Sequence, residues 1–259
     1  KTNRTGRIDV AVLQSLHQKQ EVKDFVADYG HVIVDECHHL SAVTFERVMR
    51  AVKARYVVGL TATPSRKDGH HPIIYMQCGP IRYSLSTRTM TAATPYEHVV
   101  IPRPTDFLMR GEAGDITIQD VYADLVSNES RNDMIAGDLV RAVEAGRSPL
   151  LLTGRTEHLS VFASKLSGII RNVFVLKGGL GRKQRKAIAA QLAAVGETDQ
   201  RVILATGRYI GEGFDDARLD TLFLATPISW RGTLQQYVGR LHRLHDNKRV
   251  VEVYDYVDG

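Results

Sequence analysis

Two adjacent carboxylates directly follow an apolar run in the segment HVIVDECHHL, residues 31–40. The run is rich in β-branched residues and predicts a buried strand. Asp35 and Glu36 would then stand at its carboxyl end, where open α/β sheets bind their ligands. An acidic pair at that place suits a Mg²⁺-nucleotide site. The first carboxylate would hold the cation, usually through water, and the second would orient or deprotonate the attacking water.

Two other interpretations of this segment stay open. In the first, the acids belong to a solvated strand end and cap the following helix. In the second, Cys37, His38 and His39 are zinc ligands, because zinc prefers thiolate and imidazole groups. Three consecutive residues on an extended chain or on a helix do not converge on one ion, which argues against zinc.

A second pattern that could do chemistry is QQYVGRLHR, residues 235–243. On a helix Gln236, Arg240 and Arg243 are spaced i, i+4 and i+7, so they share one face, and the opposite face is apolar. The shared face could present two guanidinium groups to the charge that spreads over a phosphoryl group during its transfer. A solvated basic helix face is the simpler alternative for this segment taken by itself.

Two further segments are short and ambiguous when taken alone. The glycines of ATGRYIGEGFD, residues 205–215, would let the backbone approach a ligand closely, or they form an ordinary turn between a strand and a helix. In GLTATPSRKDG, residues 59–69, Thr61 and Thr63 end a strand-like run. An ordinary turn at the following proline explains that run equally well.

The elements that must position these residues alternate between strand-like and helix-like segments, which predicts parallel sheets with helices on both faces. The predicted strands cover 8–16, 31–36, 56–63, 149–153, 172–176, 201–206, 219–226 and 250–257. The predicted helices cover 19–30, 44–54, 131–145, 156–167, 182–195 and 232–244, with glycine caps at Gly30 and Gly146.

The middle of the chain breaks this alternation, because six of the eight prolines fall between residues 64 and 104. Two of them flank Arg103 and predict an extended connection. We expect antiparallel pairing around YEHVVIP, residues 96–102. The chain would thus comprise a first domain, a boundary region and a second domain, with the bounds 1–85, 86–118 and 119–259.

Composition limits the class of protein without deciding its activity. With 259 residues, 43% hydrophobic and 24% charged, the chain has the composition of a globular protein with ample core. The net charge of +5 leans towards an anionic partner such as nucleic acid. Cys37 and Cys78 form no disulfide framework, and no apolar run could span a bilayer. We therefore expect a protein of the cytoplasm, nucleoid or nucleus that is neither secreted nor bound to a membrane.

In their order along the chain, DECH, TAT, GEGFD and QQYVGRLHR resemble motifs of the superfamily 2 helicases. DECH is similar to the DExH form of the Walker B motif, TAT to motif III, GEGFD to motif V and QQYVGRLHR to motif VI. The resemblance covers nearly the whole chain. It implies an α/β fold of two RecA-like parallel-sheet domains, the first incomplete at its N-terminus. It also implies ATP and Mg²⁺ as cofactors and a nucleic acid as partner.

The resemblance further implies roles in a nucleotide site. Asp35 would hold Mg²⁺, Glu36 would position the water, and Arg240 and Arg243 would be the arginine fingers. Tyr237 departs from the arginine that DEAD-box members often carry, which weighs against a DEAD-box RNA helicase but not against the finger roles. The residues expected to contact the nucleotide are Gln236, Gly213, His38 and Asp215, the last through the ribose.

Other residues would couple the domains or contact nucleic acid. By resemblance, Thr61 and Thr63 couple the Walker B region to the second domain. The segment LLLTGRTEHL is similar to motif IV and VAVLQSL to motif I-b. The expected nucleic-acid contacts are Thr206, Thr153, Arg155, Gln14 and Ser15. In addition, Thr156 is a plausible N-cap for the next helix.

The Walker A pattern G-x-x-x-x-G-K-[ST] does not occur in the 259 residues. We therefore expect the chain to begin inside the first RecA-like domain, and to bind ATP more weakly than about 10 µM by itself, because the phosphate-cradling amides and lysine are absent. The basic segment KGGLGRKQRK does not match the pattern either and predicts a basic loop and helix start.

Together these features predict a helicase or translocase that couples ATP hydrolysis between two RecA-like lobes to movement on nucleic acid. The sequences of the segments DECHHL and GLTATPSRKDG favour DNA over RNA as the nucleic acid. The alternative is a non-catalytic docking module that resembles a helicase but lacks its own P-loop. Retention of Asp35, Glu36, Arg240 and Arg243 argues against that alternative.

Overall fold

The computed structural model describes residues 4–18, 21–37, 42–61, 71–84, 95–109, 117–211, 214, 216–228 and 231–259. The chain divides into two compact units, Lys1–Thr87 and Arg88–Gly259. Both contain parallel strands, and the predicted α/β class is confirmed. None of the helices in the described residues combines the length and the apolar character of a membrane span.

The first unit contains short elements around a pair of parallel strands. In chain order they are α1 (Leu13–Leu16), β1 (His17–Gln18), β2 (Glu21–Val22), a 3₁₀ helix (Asp24–Asp28), β3 (His31–Val34), α2 (Ala42–Ala51), β4 (Tyr56–Gly59) and α3 (His71–Cys78). Strands β3 and β4 pair in parallel, with Val34 opposite Gly59. Val34 packs with Phe45, Met49 and Ile74, so one face of the strand pair is covered by α2 and α3.

The start of the first unit differs from the predicted strand over 8–16. Asp9 accepts backbone N–H groups of Thr5 and Gly6 at 2.7 and 3.0 Å, so this stretch folds into a turn. The predicted helix over 19–30 is reduced to the 3₁₀ helix. Gly30 does not cap it, because its carbonyl accepts the N–H of Tyr56 at 3.2 Å and thereby extends the ladder between β3 and β4.

The second unit is a parallel sheet between two layers of helices. Its elements are β5 (Glu97–Pro104), α4 (Ile118–Ser127), α5 (Glu129–Glu144), β6 (Pro149–Thr153), α6 (Thr156–Leu166), β7 (Val173–Leu176), α7 (Arg182–Ala194), β8 (Val202–Thr206), α8 (Gly207–Gly211), β9 (Thr221–Leu224), α9 (Arg231–Leu241) and β10 (Val250–Val257). The strand order is β5-β10-β9-β6-β8-β7. Strands β6 and β8 are buried at every position, as expected for a sheet covered on both faces.

Two apolar clusters account for the two covered faces. Leu151 packs with residues of α5 and α6 on one side, including Leu139 and Phe162. Its neighbours Leu150 and Leu152 point the other way and pack with Tyr237 of α9. The alternation follows from the period-2 direction of side chains along a strand. Helix α5 ends as predicted at Gly146, whose φ of 77° and N–H bond to the Val143 carbonyl form a glycine cap.

The predicted antiparallel pairing around residues 96–102 is wrong. Strand β5 pairs in parallel with β10 along its whole length, from Glu97 opposite Val250 to Pro104 opposite Val257. Part of the expected boundary region 86–118 is therefore a strand of the second unit's sheet. Prolines fit there because β5 is the edge strand, where a missing backbone N–H breaks no ladder hydrogen bond on the open side.

Candidate functional site

The carboxylate pair follows β3 without an intervening residue. Asp35 is exposed and Glu36 is partly buried. Asp35 Oδ1 accepts the backbone N–H of Glu36 at 2.9 Å, and Glu36 has a φ of 48°, in the left-handed region. The turn is fixed to the neighbouring strand, because the N–H of Cys37 donates to the carbonyl of Leu60 at 3.0 Å. An accessible carboxylate at a fixed strand end fits a hydrated Mg²⁺.

Thr61 lies at the same edge of the strand pair as the two acids. Because Val34 stands opposite Gly59 in a parallel register, the residues that follow each strand emerge on the same side. The N–H of Leu60 donates to the carbonyl of Val34 at 2.8 Å, which extends this register by one step. The structure thus brings together Asp35, Glu36 and Thr61. Thr63 and His38 lie outside the described residues.

Cys37 belongs to the apolar core of the first unit rather than to the exposed edge. It is 2% exposed and packs beside Cys78, with both sulfur atoms 3.1 Å from the point where a β-carbon on Gly59 would lie. Burial raises the pKa of the Cys37 thiol and raises that of Cys78 to about 11. Among the described residues, no three histidine, cysteine or carboxylate side chains are placed to share a metal ion. This environment gives the zinc interpretation no support.

The arginine-bearing segment lies at the end of α9 in the second unit. Arg240 is partly buried within the helix, and Arg243 is exposed. The predicted helix to residue 244 is too long, because α9 ends at Leu241 and Arg243 follows it in a turn. The expected sharing of one helical face therefore does not extend to Arg243. The side chain of Gln236, within the same helix, lies outside the described residues.

The glycine-rich segment meets α9 at one point. Thr206 ends β8 and is 9% exposed, and Gly207 begins α8. A β-carbon on Gly207 would overlap the hydroxyl of Tyr237, whose side chain is buried. Glycine is needed here so that α9 can pack this closely on the start of α8. Gly213 and Asp215, expected nucleotide contacts, lie outside the described residues.

Thr153 lies in the interior of the second unit. Its side chain is 2% exposed and its hydroxyl lies 3.0 Å from His158 Nδ1. The other ring nitrogen of His158 lies 2.8 Å from Asn132 Oδ1, and burial lowers the pKa of this histidine to about 4. The neutral ring therefore donates from Nε2 and accepts from the hydroxyl. This bonding does not fit the expected contact of Thr153 with nucleic-acid phosphates.

The remaining expected contacts are nearer to solvent. Arg155 is partly buried, donates to Gln119 and lies over the Tyr122 ring with 5.3 Å to the centroid. Ser15 is exposed and its hydroxyl donates to the Val12 carbonyl at 2.6 Å. The side chain of Gln14 lies outside the described residues.

The basic segment after β7 borders a groove of about 840 Å³ along α7. Arg185 lies on its wall with its guanidinium 5.9 Å from the ring centroid of Tyr209. Arg201 and Asp216 also contact the groove, joined by two hydrogen bonds of 2.6 and 2.9 Å. Sequence reasoning did not single out this ion pair, because its partners look like ordinary polar residues at loop positions.

Comparison with known proteins adds family evidence to this geometry. A model of the family described as "Type III restriction enzyme, res subunit" matches residues 1–66. L396 of Acanthamoeba polyphaga mimivirus, which is named as an ATP-dependent RNA helicase, is 24% identical over 262 residues. That alignment covers 96% of this chain and 47% of L396. These similarities support the assignment of the chain to the superfamily 2 helicases.

Other similarities are shorter or more distant. A protein of Sulfurisphaera tokodaii named DNA 3'-5' translocase XPB2 is 37% identical over 59 residues, which cover 23% of this chain and 13% of that protein. The crystal structure of T4 UvsW covers 95% of this chain and 48% of its own, with 16% identity and a TM-score of 0.49. The chain spans about half the length of the curated relatives that it matches along most of its sequence.

Proposed function

We propose that this chain is part of a superfamily 2 motor that couples ATP hydrolysis to movement along nucleic acid, with DNA preferred over RNA. The observation that carries the proposal is the position of Asp35, Glu36 and Thr61 at the carboxyl ends of adjacent parallel strands. This is where open α/β folds bind ligands. The DNA preference is supported by the restriction-type family model and by the similarity to a protein named as a DNA translocase.

Each residue of the nucleotide site has a distinct task in this proposal. Asp35 holds the hydrated cation through its exposed carboxylate, and Glu36 orients the attacking water. Mg²⁺, when bound, neutralises the charge on the phosphate oxygens. Arg240 and Arg243 stabilise the charge that spreads over the transferred phosphoryl group. The residues that complete the nucleotide contacts are Gln236, Gly213, Asp215 and His38.

A second set of residues links ATP hydrolysis to the binding of nucleic acid. Thr61 and Thr63 transmit the state of the acidic pair, and Thr206 and Arg155 bind the nucleic-acid backbone. The first unit contributes Gln14 and Ser15 to the same task. Thr153 acts indirectly in this scheme, since its hydroxyl accepts the N–H of Arg155 at 3.3 Å and so orders the turn that carries that arginine.

The test is ATP hydrolysis by the full-length protein, measured without nucleic acid, with single-stranded DNA and with single-stranded RNA. We expect DNA to stimulate turnover more than RNA, and Glu36→Gln to abolish the stimulated turnover while nucleic-acid binding persists. Glu46→Gln is the matched control, because Glu46 is a carboxylate of the same unit that pairs with Arg50 on the surface of α2. Full turnover in the Glu36→Gln protein would refute the assignment. Nucleic-acid binding without any turnover in the unaltered protein would favour the docking module instead.

A further inference from the structure

The turn after α9 closes around a buried amino group that the sequence analysis did not single out. Lys248 is only 4% exposed. Its Nζ donates to the carbonyls of Leu241 and Arg243, each at 2.8 Å. Both carbonyls belong to the end of α9 or to the turn beyond it, where a helix leaves its last carbonyl groups without internal partners. A cation at this end also interacts favourably with the helix dipole.

Tyr96 holds the same turn from the other side. This residue precedes β5 and lies 147 positions before Arg243 in the chain. Its hydroxyl donates to the Arg243 carbonyl at 3.1 Å and accepts the backbone N–H of His245 at 3.1 Å. The Lys248 ammonium lies 5.4 Å from the centroid of the Tyr96 ring, within the range of a cation–π interaction. The Arg243 carbonyl therefore accepts hydrogen bonds from both Tyr96 and Lys248.

A pair of histidines fixes the residue between the two arginines. His242 Nε2 lies 3.0 Å from His98 Nε2, and the rings meet nearly edge to face, at 82°. Burial, together with the charges of His98 and Lys248, lowers the pKa of His242. A neutral ring can donate one hydrogen bond to its neighbour, so the pair ties the turn to β5. Two elements remote in sequence, the start of β5 and the segment before β10, thus converge on residues 242–245.

This arrangement fixes the backbone of Arg243 while its side chain stays exposed. Burying a lysine is unfavourable, and here burial lowers its pKa to about 8. A glycine cap would end a helix without a buried charge. The need to end α9 therefore does not by itself explain why Lys248 is buried. Three hydrogen bonds, two from Lys248 and one from Tyr96, end on the carbonyls of Leu241 and Arg243 and restrict the direction in which the Arg243 side chain leaves the backbone. Precise placement matters most for a group that must meet developing charge.

We propose that Tyr96 and Lys248 are positioning residues that hold Arg243 in the geometry required for phosphoryl transfer. This inference rests on the proposed function, because it assumes that Arg243 acts on the transferred phosphoryl group. Among the described residues, the side-chain hydrogen bonds of Tyr96 and Lys248 go to backbone atoms of the turn and of the end of α9. Their effect therefore reaches the reaction only through the arginine.

The test uses Tyr96→Phe in the full-length protein, because this change removes one oxygen and keeps the buried ring. We expect kcat of nucleic-acid-stimulated ATP hydrolysis to fall about 10-fold to 100-fold, the scale of a small misplacement of a catalytic group. The KM for ATP should stay within about twofold, since binding of the ground state does not depend on the arginine geometry. Lys248→Met should lower kcat at least as much.

Tyr256→Phe is the matched control. Tyr256 is 6% exposed, like Tyr96, and its hydroxyl donates to Asp138 at 2.9 Å, on β10 and away from the turn. Tyr256→Phe should leave kcat within about twofold. Like Tyr96→Phe it removes a buried hydroxyl, but that hydroxyl does not bond the turn that carries Arg243. An equal fall of kcat in Tyr96→Phe and Tyr256→Phe would overturn the proposal, since it would mark a general loss of structure.

The decisive measurement is a double-mutant cycle with Arg243→Ala. If Tyr96 acts through Arg243, Tyr96→Phe should change kcat by less than about twofold once the arginine is gone. A further fall of 10-fold or more in that background would overturn the positioning role. Arg243→Ala lowering kcat while Tyr96→Phe leaves it unchanged would overturn this inference alone. Absence of turnover in the unaltered protein would instead overturn the proposed function and the inference together.

Discussion

Tyr237 of α9 lies against Gly207 so closely that any β-carbon on Gly207 would overlap the tyrosine hydroxyl. The contact joins the helix that carries Arg240 to the first residue after β8. Tyr237 is buried, and burial raises the pKa of its hydroxyl. The position that distinguishes this chain from the arginine-bearing DEAD-box pattern therefore contributes to packing between two motif-bearing segments.

Gly207→Ala should destabilise the second unit. The added methyl group forces Tyr237 or the start of α8 to move, and overpacking of this kind costs about 1–3 kcal/mol. Gly239→Ala is the control in α9, because in the part of the chain that the structure describes no heavy atom outside the backbone of α9 lies within 4 Å of its added β-carbon. That change should stabilise the helix by about 0.5–1 kcal/mol. Denaturant unfolding measures both, and equal effects of the two substitutions would contradict the packing contact.

Asp216→Asn should be among the more damaging single changes in the second unit. Arg201 is 3% exposed and makes two hydrogen bonds to Asp216, so the substitution leaves a buried guanidinium without its counter-charge. Breaking a buried pair in this way costs about 3–5 kcal/mol. Asp133→Asn removes the partner of Lys165 at an exposed position and should cost less than about 1 kcal/mol. Chemical denaturation compares the two, and similar losses would show that the Arg201 pair is not effectively buried.

His158 should make the second unit sensitive to mild acid. Its pKa is lowered from the ordinary 6.5 to about 4, first by burial and then by the charge of Arg131. Between pH 6.5 and about 4 the unfolded chain therefore binds a proton that the folded chain excludes, and the free energy of unfolding falls by up to about 1.4 kcal/mol per pH unit. Above pH 6.5 this loss is absent.

His158→Gln removes the titrating group while leaving the carboxylates that also titrate in acid. We expect the variant to lose less free energy of unfolding than the unaltered chain between pH 6.5 and 4.5, whatever its stability at pH 7. Unfolding curves in urea at several pH values give the two slopes. Identical slopes would mean that the histidine takes up its proton in the folded state.

Cys37 and Cys78 should resist thiol reagents in the folded protein. Burial raises the pKa of both thiols, that of Cys78 to about 11, so little thiolate forms at pH 8. We expect slow labelling of the native chain and fast labelling of both thiols in denaturant. Metal analysis of the same sample should find no zinc, because a thiol buried in apolar surroundings is a poor zinc ligand. Rapid labelling of Cys37 at pH 8 would contradict its place in the core.

Local sequence patterns predicted most of the strands and several of the helices of the second unit. Apolar runs such as PLLLT at 149–153 form fully buried strands. A strand covered by helices on both faces has apolar side chains in both directions, so its sequence is continuously apolar. The strand that ends immediately before Asp35 was equally apparent from HVIV followed by two acids. Amphipathic spacing predicted α5 and α6 closely, since the 3.6-residue period fixes which side chains face the sheet.

The sequence by itself therefore determined where most strands of the second unit lie and which strand end bears the acidic pair. The tertiary structure decided that β5 runs parallel to β10, that Thr153 is bonded to His158, and that Arg243 leaves the helix in a held turn. These features depend on contacts between residues far apart in the chain, such as Tyr96 with Arg243. A local period specifies the direction of neighbouring side chains, and it contains no information about which distant group will meet them.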